Sequence, residues 1–534
     1  MEILNSLKQI AIYMLLSTSL IFGYIELSHS WVDCGGISGK IFLFEVPILL
    51  SILLFLYTPF IDIKKNIILS LIPIFGLYVL YDVFYYYLAK SPSMSDLQNI
   101  GVLSDFSLSM LVGLLLVVST VVIVIIYILF AGCRRNTKHC STVLLVKIII
   151  LSIMFYTIPS PYLKDKLVKS YHVVGFSQGR TIRKNGRFTS FVYYGIIRNR
   201  AKDLLKDYKD KSIDVNKLLF SDVSISKKRN IYIVVLESFL DPRLLMEIEL
   251  SRDPLSSNLK KYLHDGKFSS VLSPVYGGGT AQAEFEVLTG VKAFALVNSV
   301  EFNSLQGKQI SGFIDALKDQ GYSSYALIAS NSNYYNSKDA YKSIGFDEII
   351  FLEEKDNFQL QENDNRIFDG DVYQYQIKEM DQKHFQGPYI HYILGMYGHM
   401  RYERNLVERP DVIEVKGMPS SIQRITNQFY YRTKALGKYI DELLKRDPHA
   451  LIYITSDHLP PVLSGDLKYA KTNRTNIALL IDNGEKVKLE DVFYYDVSKV
   501  LMQRLTENNS SINHLGNTLQ KEIYFKVMSE SFGD

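Results

Sequence analysis

Five long apolar runs near the start of the chain constrain its fold more than any other feature of the sequence. Each run is close to the roughly 20 residues that a helix needs to cross a bilayer, and the run at 111–130 contains no charge. A cleaved signal peptide is one short segment, and soluble cores do not stack apolar runs of this length. We therefore predict a five-helix transmembrane bundle in residues 1–161, with spans at about 9–27, 41–61, 66–88, 107–130 and 143–160.

The distribution of positive charge predicts the orientation of this bundle, because Lys and Arg beside a span are retained in the cytoplasm. Lys64 and Lys65 follow the second run, and Arg134 and Arg135 follow the fourth. With five spans, everything after Tyr162 then lies outside the cytoplasm. All 3 cysteines of the chain precede that region, so the exported part must be held together without a disulfide.

Two acidic residues, Glu45 and Asp82, fall inside the apolar runs. An ionisable side chain at this depth is costly and therefore marks a specific contact. Two interpretations are open. Each carboxylate lies near the headgroups or binds a neighbouring helix, or the two border an entry path for lipid headgroups.

Residues 162–220 form a basic, polar connector between the apolar region and the rest of the chain. Lys and Arg alternate there with Val, Phe, Tyr and Leu. This composition is typical of a segment that lies along a membrane surface, where anionic headgroups attract the cations. A solvated helical linker has the same composition, so both interpretations stay open.

Residues 221–534 alternate between strand-like and helix-like segments, which predicts one α/β domain with a mostly parallel sheet. The strand-like runs are at 231–236, 324–328, 389–394, 451–455 and 477–481. The amphipathic segments are at 310–320, 368–382, 421–445 and 496–506. The formal net charge of the whole chain is only +4, so no nucleic-acid partner is implied.

Side chains of the metal-binding type follow three of these runs. Glu237 comes directly after the first run, Asp457 and His458 come after the run at 451–455, and His399 follows the run at 389–394. The carboxyl ends of parallel strands meet at one edge of a sheet, so we expect these side chains to lie together. Carboxylates and imidazoles bind divalent cations, so the sequence predicts a metal site at this edge.

A glycine-rich segment supplies a fourth element. Three glycines at 277–279 precede Thr280 and a helical stretch, AQAEFEVL. A helix N-terminus attracts anions, and Thr is a good N-cap, so we predict that Thr280 caps this helix. A hydroxyl beside a divalent cation also loses its proton more readily and can then attack phosphorus or sulfur.

These motifs, in the order ESF, GGGTxxxEFEVLTG, YKSIGFD, GH and SDH, resemble those of the sulfatase-like phosphoglycerol transferases. That family belongs to the alkaline phosphatase superfamily and includes lipoteichoic acid synthase and its relatives. The resemblance implies a multi-pass protein of the bacterial cytoplasmic membrane, with a sulfatase-like catalytic domain at 221–534 on the extracellular or periplasmic side. It also implies transfer of glycerol phosphate from the membrane phospholipid phosphatidylglycerol to a cell-envelope glycan or polymer.

The same resemblance implies a role for each residue of the predicted metal site. Thr280 corresponds to the nucleophile, which forms a phosphothreonine-type intermediate. Glu237, Thr280, Asp457 and His458 correspond to the ligands of one divalent cation. That cation is manganese by the resemblance, with magnesium and zinc as alternatives.

Further positions correspond to substrate contacts of the family. His399 matches a histidine that contacts the headgroup. A Trp-Asn-Arg element of the family aligns with Tyr335, Asn336 and Ser337, so the arginine is absent here. Lys338 is adjacent and can supply a positive charge, but it lacks the bidentate fork of arginine.

Three other functions are compatible with parts of this pattern. A phosphoethanolamine or other phospho-group transferase acting on a surface glycan shares the metal and the nucleophile, but the exported domains of such enzymes are rich in cysteine. A sulfatase needs a Cys or Ser in a C/S-x-P/A-x-R context, which residues 280–284 lack. A catalytically inactive sulfatase-like scaffold is disfavoured by the intact metal set, although Ser337 leaves room for it.

Overall fold

The computed structural model forms two compact units, Met1–Arg200 and Ala201–Asp534. The residues that it describes are 2–28, 39–59, 61–88, 91–92, 108–130, 145–149, 151–152, 160–172, 178–221, 224–225, 227–298, 300–332, 334–355, 358, 360–383, 387–460, 468–506 and 514–531.

The first unit is mostly helical in its described part. Its helices are α1 (Glu2–Leu27), α2 (Glu45–Leu56), α3 (Ile63–Leu88), α4 (Leu108–Phe130), α5 (Pro161–Ser170), α6 (Gln178–Asn185) and the start of α7 (Arg187–Lys209). Within the residues that the structure describes, three segments are long and apolar enough to cross a membrane, namely Leu7–Leu27, Ile63–Tyr85 and Leu111–Phe130. These segments coincide with the first, third and fourth predicted spans.

The other two predicted spans are not confirmed. The run at 41–61 forms a helix of only 12 residues, α2, which is shorter than the roughly 20 residues that a span needs. A short 3-10 helix, Gly39–Phe42, precedes it, so the apolar run is divided between two elements. Most of the run at 143–160 lies outside the described residues, so the five-helix bundle stays a prediction.

Both acidic residues of the apolar runs bind the first turn of α7. Glu45 Oε1 accepts hydrogen bonds from the backbone N–H groups of Arg187 (3.0 Å) and Phe188 (3.1 Å), and Oε2 accepts from that of Thr189 (2.8 Å). Asp82 pairs with the Arg187 guanidinium at 2.6 and 2.8 Å. Of the two interpretations of these carboxylates, binding to a neighbouring helix therefore accounts for both.

The predicted connector, residues 162–220, is mostly helical in its described part. It comprises α5, α6, α7 and α8 (Val215–Phe220), and the boundary between the two units falls within α7. Asp214 caps α8 by accepting a hydrogen bond from the Lys217 backbone N–H. A location along a membrane surface stays a prediction.

The second unit contains a nine-stranded sheet with the order β4-β3-β5-β1-β6-β7-β2-β9, in which β8 pairs with β7. The strands are β1 (Ile231–Leu236), β2 (Ser269–Leu272), β3 (Ser323–Ile328), β4 (Glu348–Phe351), β5 (Tyr389–Gly395), β6 (Leu451–Ser456), β7 (Thr475–Asp482), β8 (Glu485–Val487) and β9 (Val492–Phe493). The five strands from β4 to β6 run parallel, whereas β7 is antiparallel to β6 and β2. The sheet is therefore mostly parallel, as predicted.

The central strands β1, β5 and β6 are buried along their whole length, which explains why they read as continuous apolar runs. The described helices of this unit, besides α8, are α9 (Ser257–Lys260), α10 (Thr280–Thr289), α11 (Phe313–Asp319), α12 (Ser337–Ile344), α13 (Asp369–Lys383), α14 (Ser420–Arg446), α15 (Tyr494–Thr506) and α16 (Asn517–Ser531). Four of these, α11, α13, α14 and α15, occupy the amphipathic segments identified in the sequence.

Candidate active site

Two neighbouring strands deliver the predicted metal ligands to one place. β1 and β6 are parallel and in register, with Leu236 beside Ser456, so the residues that follow them emerge side by side. Glu237 follows β1, and Asp457 and His458 follow β6. One ligand atom from each of these three buried residues lies within 4.8 Å of the other two.

The local backbone holds the carboxylates in place. Ser238, directly after Glu237, has a φ of 47°, a left-handed conformation that a non-glycine residue rarely adopts. The backbone N–H groups of Ser238 (2.8 Å) and His458 (2.6 Å) both donate to Asp457 Oδ1. His458 Nε2 lies 3.2 Å from Asp457 Oδ2 and 3.5 Å from Glu237 Oε1. The imidazole nitrogen and two carboxylate oxygens thus converge.

Thr280 joins this cluster from the glycine-rich segment. Its hydroxyl donates to Glu237 Oε2 at 3.0 Å, and the residue is buried. The prediction that Thr280 is the N-cap of its helix is wrong. Thr280 is the first residue of α10, and the cap is Gly279, whose φ of 90° suits glycine. The Thr280 hydroxyl is consequently directed to Glu237 rather than to the helix backbone.

The two carboxylates of the cluster have opposite pKa shifts. Burial disfavours the charge on Glu237, but the charges of His458 and His399 outweigh burial and lower the pKa of Glu237. Burial and the negative charge of Glu237 both raise the pKa of Asp457. Opposite shifts are expected where two carboxylates share one site.

The cluster fits a divalent cation. Two carboxylates and one imidazole are suitable ligands for manganese, magnesium or zinc. Asp457 is fully buried, and its Oδ2 makes no hydrogen bond to any residue that the structure describes. A buried carboxylate oxygen without a donor is costly, and a bound cation would remove that cost.

His399 lies in the turn that follows β5, and its charge contributes to the lowered pKa of Glu237. The turn that carries it depends on Gly398. A β-carbon on Gly398 would lie 2.0 Å from the Glu237 carbonyl oxygen and 2.3 Å from Arg432 Nη1, so no side chain fits there. The turn after β5 therefore packs directly against the backbone of a predicted metal ligand.

The other predicted substrate contacts have different surroundings. Asn336 donates from Nδ2 to the carbonyl oxygens of Phe302 (3.0 Å) and Leu305 (2.8 Å), which fixes the segment at 302–305. Tyr335 is buried, and Lys338 is exposed in the first turn of α12. Contact of Tyr335, Asn336 and Lys338 with a substrate stays a prediction.

A buried ion pair behind Glu237 has no signature in the sequence. Arg432, on α14, donates from Nε to Asp369 Oδ2 at 2.6 Å and from Nη1 to the Glu237 carbonyl oxygen at 3.0 Å. Its guanidinium also lies 4.8 Å from the ring centre of Phe239. No motif marks this arginine, because its two partners come from distant parts of the chain.

A second missed residue is Glu284, one turn into α10. Its carboxyl group is fully buried and accepts hydrogen bonds from the hydroxyls of Tyr341 and Tyr392. Burial raises the pKa of Glu284 to about 8, and the charges of Asp457 and Glu237 contribute in the same direction. At neutral pH this side chain therefore carries a proton in the fold.

Comparison with known proteins identifies the family of this region. Residues 229–488 match the family model described as Sulfatase. A protein of Rhizobium meliloti, described as "Putative cyclic beta-1,2-glucan modification protein", is 27% identical over 241 residues. That match covers 44% of this chain and 36% of the relative, so the chain spans about a third of the relative's length.

Solved structures with a similar fold include two bacterial enzymes. Lipoteichoic acid synthase LtaP from Listeria monocytogenes is 19% identical, with a TM-score of 0.42, and the match covers 60% of this chain and 81% of that chain. Phosphoglycerol transferase GacH from Streptococcus pyogenes, solved with sn-glycerol-1-phosphate, is 16% identical, with a TM-score of 0.42, and the match covers 63% and 91%.

Proposed function

Because residues 229–488 are a sulfatase-family domain, we propose that this protein is a metal-dependent phospho-group transferase with Thr280 as its nucleophile. The substrate that we propose as donor is phosphatidylglycerol, and the acceptor is a cell-envelope glycan or polymer. One observation carries the proposal. The Thr280 hydroxyl donates to Glu237 Oε2 at 3.0 Å, inside the cluster that fits a cation.

Glu237, Asp457 and His458 would hold the divalent cation, with Thr280 as a further ligand. When bound, the cation stabilises negative charge on phosphoryl oxygens and lowers the pKa of an adjacent hydroxyl. The chain contributes the remaining features of the site. Burial of all four side chains keeps water away, and the N-terminus of α10 favours an anionic group beside Thr280.

The transfer has two balanced steps. Thr280 Oγ forms a bond to phosphorus while the bond from phosphorus to the diacylglycerol oxygen breaks, and the hydroxyl proton ends on that oxygen. A glycerol-phosphate ester of Thr280 remains. A hydroxyl oxygen of the acceptor then forms a bond to phosphorus while the bond from phosphorus to Thr280 Oγ breaks, and the acceptor's hydroxyl proton ends on Thr280 Oγ. Two steps of this kind predict ping-pong kinetics.

The proposed acceptor is a carbohydrate. The description of the Rhizobium meliloti relative concerns modification of a glucan, which supports this class of acceptor. The three apolar helices support attachment to a membrane, where a lipid donor is concentrated. We also infer that residues 163–534 lie on the extracellular or periplasmic side, on the strength of the Lys and Arg placement. A C-terminal reporter that is active only in the cytoplasm would contradict that orientation.

Mass spectrometry of the full chain after incubation with phosphatidylglycerol tests the proposal. We expect a glycerol-phosphate adduct on the peptide that contains Thr280, together with released diacylglycerol. An ethanolamine-phosphate adduct, formed only with phosphatidylethanolamine, would replace the proposed donor. Absence of any adduct and of any diacylglycerol release, in a metal-loaded protein, would favour an inactive scaffold.

Thr280→Ala is the matched control. The cap of α10 is Gly279, so this substitution removes only one side-chain hydrogen bond, at a cost of about 1 kcal/mol. The variant should fold, keep Glu237, Asp457 and His458 as ligands, and form no adduct. Diacylglycerol release at the wild-type rate by Thr280→Ala would refute the covalent mechanism.

A further inference from the structure

A cavity of about 840 Å³ lies in the second unit beside β2 and the start of β7. Its volume falls within the range of about 300–1,000 Å³ that is usual for small-molecule sites. The residues that line it include four carboxylates and four Lys or Arg side chains, and most of the others are hydroxyl, amide or aromatic residues. None of the predicted catalytic residues lines it.

The charges of this cavity compensate one another. Arg243 Nη2 lies 2.6 Å from Asp241 Oδ2, and Lys471 Nζ lies 3.5 Å from Asp491 Oδ1. Lys488 pairs with Glu490 in the same way. A polyanion or a polycation would have to separate these pairs, whereas a neutral ligand with many hydroxyl groups can hydrogen-bond to both members. Tyr469 and Phe268 add aromatic surface to the lining, which suits the apolar face of a sugar ring.

The cavity adjoins the metal-ligand segment through Asn476. This residue lines the cavity and is only 1% exposed. Its Nδ2 donates to the Asp457 carbonyl oxygen at 3.3 Å and to the Tyr494 hydroxyl at 3.0 Å. Its Oδ1 has no hydrogen-bond partner among the residues that the structure describes. The Asn476 side chain therefore links the wall of the cavity to the backbone of a predicted metal ligand.

We propose that this cavity binds a neutral stretch of the acceptor glycan, with sugar hydroxyls bonding to the paired carboxylates and cations of its wall. The proposal rests on the proposed transferase function and adds the location of the acceptor. Sugar hydroxyls both donate and accept, so they match a wall of paired acids and bases. Leu459, which follows His458 directly, is also part of the lining, so a glycan bound there lies next to the metal-ligand segment.

The test uses the full chain, metal-loaded and in nanodiscs that contain phosphatidylglycerol. Cyclic β-1,2-glucan is the neutral probe, and polyglycerol phosphate is the anionic one. Two variants change the cavity. Ser270→Trp fills it from β2, and Lys471→Ala breaks one ion pair of its wall. Lys416→Ala is the matched control, because Lys416 is similarly exposed and paired with one carboxylate, Glu249, but does not line the cavity.

We expect Ser270→Trp to raise the KM for glucan at least about tenfold, Lys471→Ala to raise it less, and Lys416→Ala to leave it unchanged. Calorimetry should show the same order of glucan affinities without any phospholipid. Wild-type glucan affinity in both cavity variants would overturn the proposal, as would binding of polyglycerol phosphate but not glucan. Diacylglycerol release, measured without glucan, reports separately on the transferase function. If no diacylglycerol is released, the proposed transferase function fails, and the glucan affinities from calorimetry still test the cavity independently.

Discussion

Two groups of buried carboxylates in this protein look alike in the sequence but differ in how they are satisfied. In the first unit, Glu45 and Asp82 accept hydrogen bonds from the backbone and guanidinium of the α7 terminus. In the second unit, Glu237 and Asp457 lie beside each other and His458, and Asp457 Oδ2 has no hydrogen bond from any described residue. The first group is satisfied within the chain, whereas the second has one carboxylate oxygen that a bound cation would satisfy.

The contrast shows how a structural carboxylate can be distinguished from a ligand. A buried carboxylate is tolerated when donors or a cation compensate its charge. Arg187 supplies that compensation to Asp82 within the chain, so removal of Arg187 should affect stability. Asp457 receives backbone N–H groups at Oδ1 but no hydrogen bond from a described residue at Oδ2, so removal of Asp457 should affect metal binding and catalysis instead.

The largest expected effect is that of Asp457→Asn. The substitution keeps the shape of the side chain but removes the anionic ligand, so metal affinity and transfer should both fall. We expect diacylglycerol release to decrease on the order of a thousandfold or more. Elemental analysis and a diacylglycerol assay measure the two effects. Full metal occupancy together with wild-type release would show that Asp457 is not a ligand.

The next effect is on stability, in Arg187→Met. This change leaves Asp82 buried without its cation, which should cost about 3–5 kcal/mol of unfolding free energy. The double variant Arg187→Met/Asp82→Asn should recover part of that loss, because no uncompensated charge remains. Thermal unfolding of the full chain in detergent measures both variants. Equal melting temperatures for the single variant and the wild type would show that this ion pair is not needed for stability.

The sequence predicted that Glu237, Asp457 and His458 lie together because the signal is local. Each ligand directly follows an apolar run, and the parallel arrangement of β1 and β6 brings the two strand ends together. The contacts that support the cluster are not local. Arg432 is 63 positions from Asp369 and 195 from Glu237, and no periodicity links such positions.

The same reasoning explains what else was missed in the fold. The strands β2, β4, β8 and β9 are only 4, 4, 3 and 2 residues long, so their sequences carry almost no alternation. Glu45 was recognised as unusual, but its partner Thr189 lies 144 positions further along the chain. Distant pairing of this kind follows from tertiary packing and could not be read from one sequence.

A third prediction concerns Arg432 as a positioning residue for Glu237. Arg432→Lys keeps the positive charge but cannot reach both Asp369 and the Glu237 carbonyl oxygen, so Glu237 should be held less firmly. We expect metal affinity to fall about 10–100-fold, the range that is usual for residues that support a metal ligand. Isothermal titration with manganese measures this affinity. A residue with only a structural role would lower the melting temperature and leave the affinity of the folded protein unchanged.

Arg446→Lys is the control for that experiment. Arg446 is on the same helix, α14, and pairs with Asp381 and Glu442 in a more exposed setting. Its substitution should change neither metal affinity nor stability by more than about 0.5 kcal/mol. A loss of metal affinity in Arg446→Lys equal to that in Arg432→Lys would remove the case for a specific contact with Glu237.

The smallest expected effect concerns Glu284, which lies between the satisfied carboxylates of the first unit and the carboxylate pair of the second. The hydroxyls of Tyr341 and Tyr392 donate to Glu284, but its pKa is nevertheless raised to about 8. The folded protein therefore binds this proton more tightly than the unfolded chain, whose value is near 4.5. The resulting stability is fully present below pH 4.5 and is lost as the pH rises through about 8. Between pH 7 and pH 9 the unfolding free energy should fall by about 1 kcal/mol from this group alone.

Glu284→Gln mimics the protonated form, so it should remove this group's part of the slope of unfolding free energy against pH. Denaturant unfolding of the chelator-treated protein at pH 7 and pH 9 would measure that slope. An unchanged slope in Glu284→Gln would mean that Glu284 is ionised in the fold, and would class it with Glu45 rather than with Asp457.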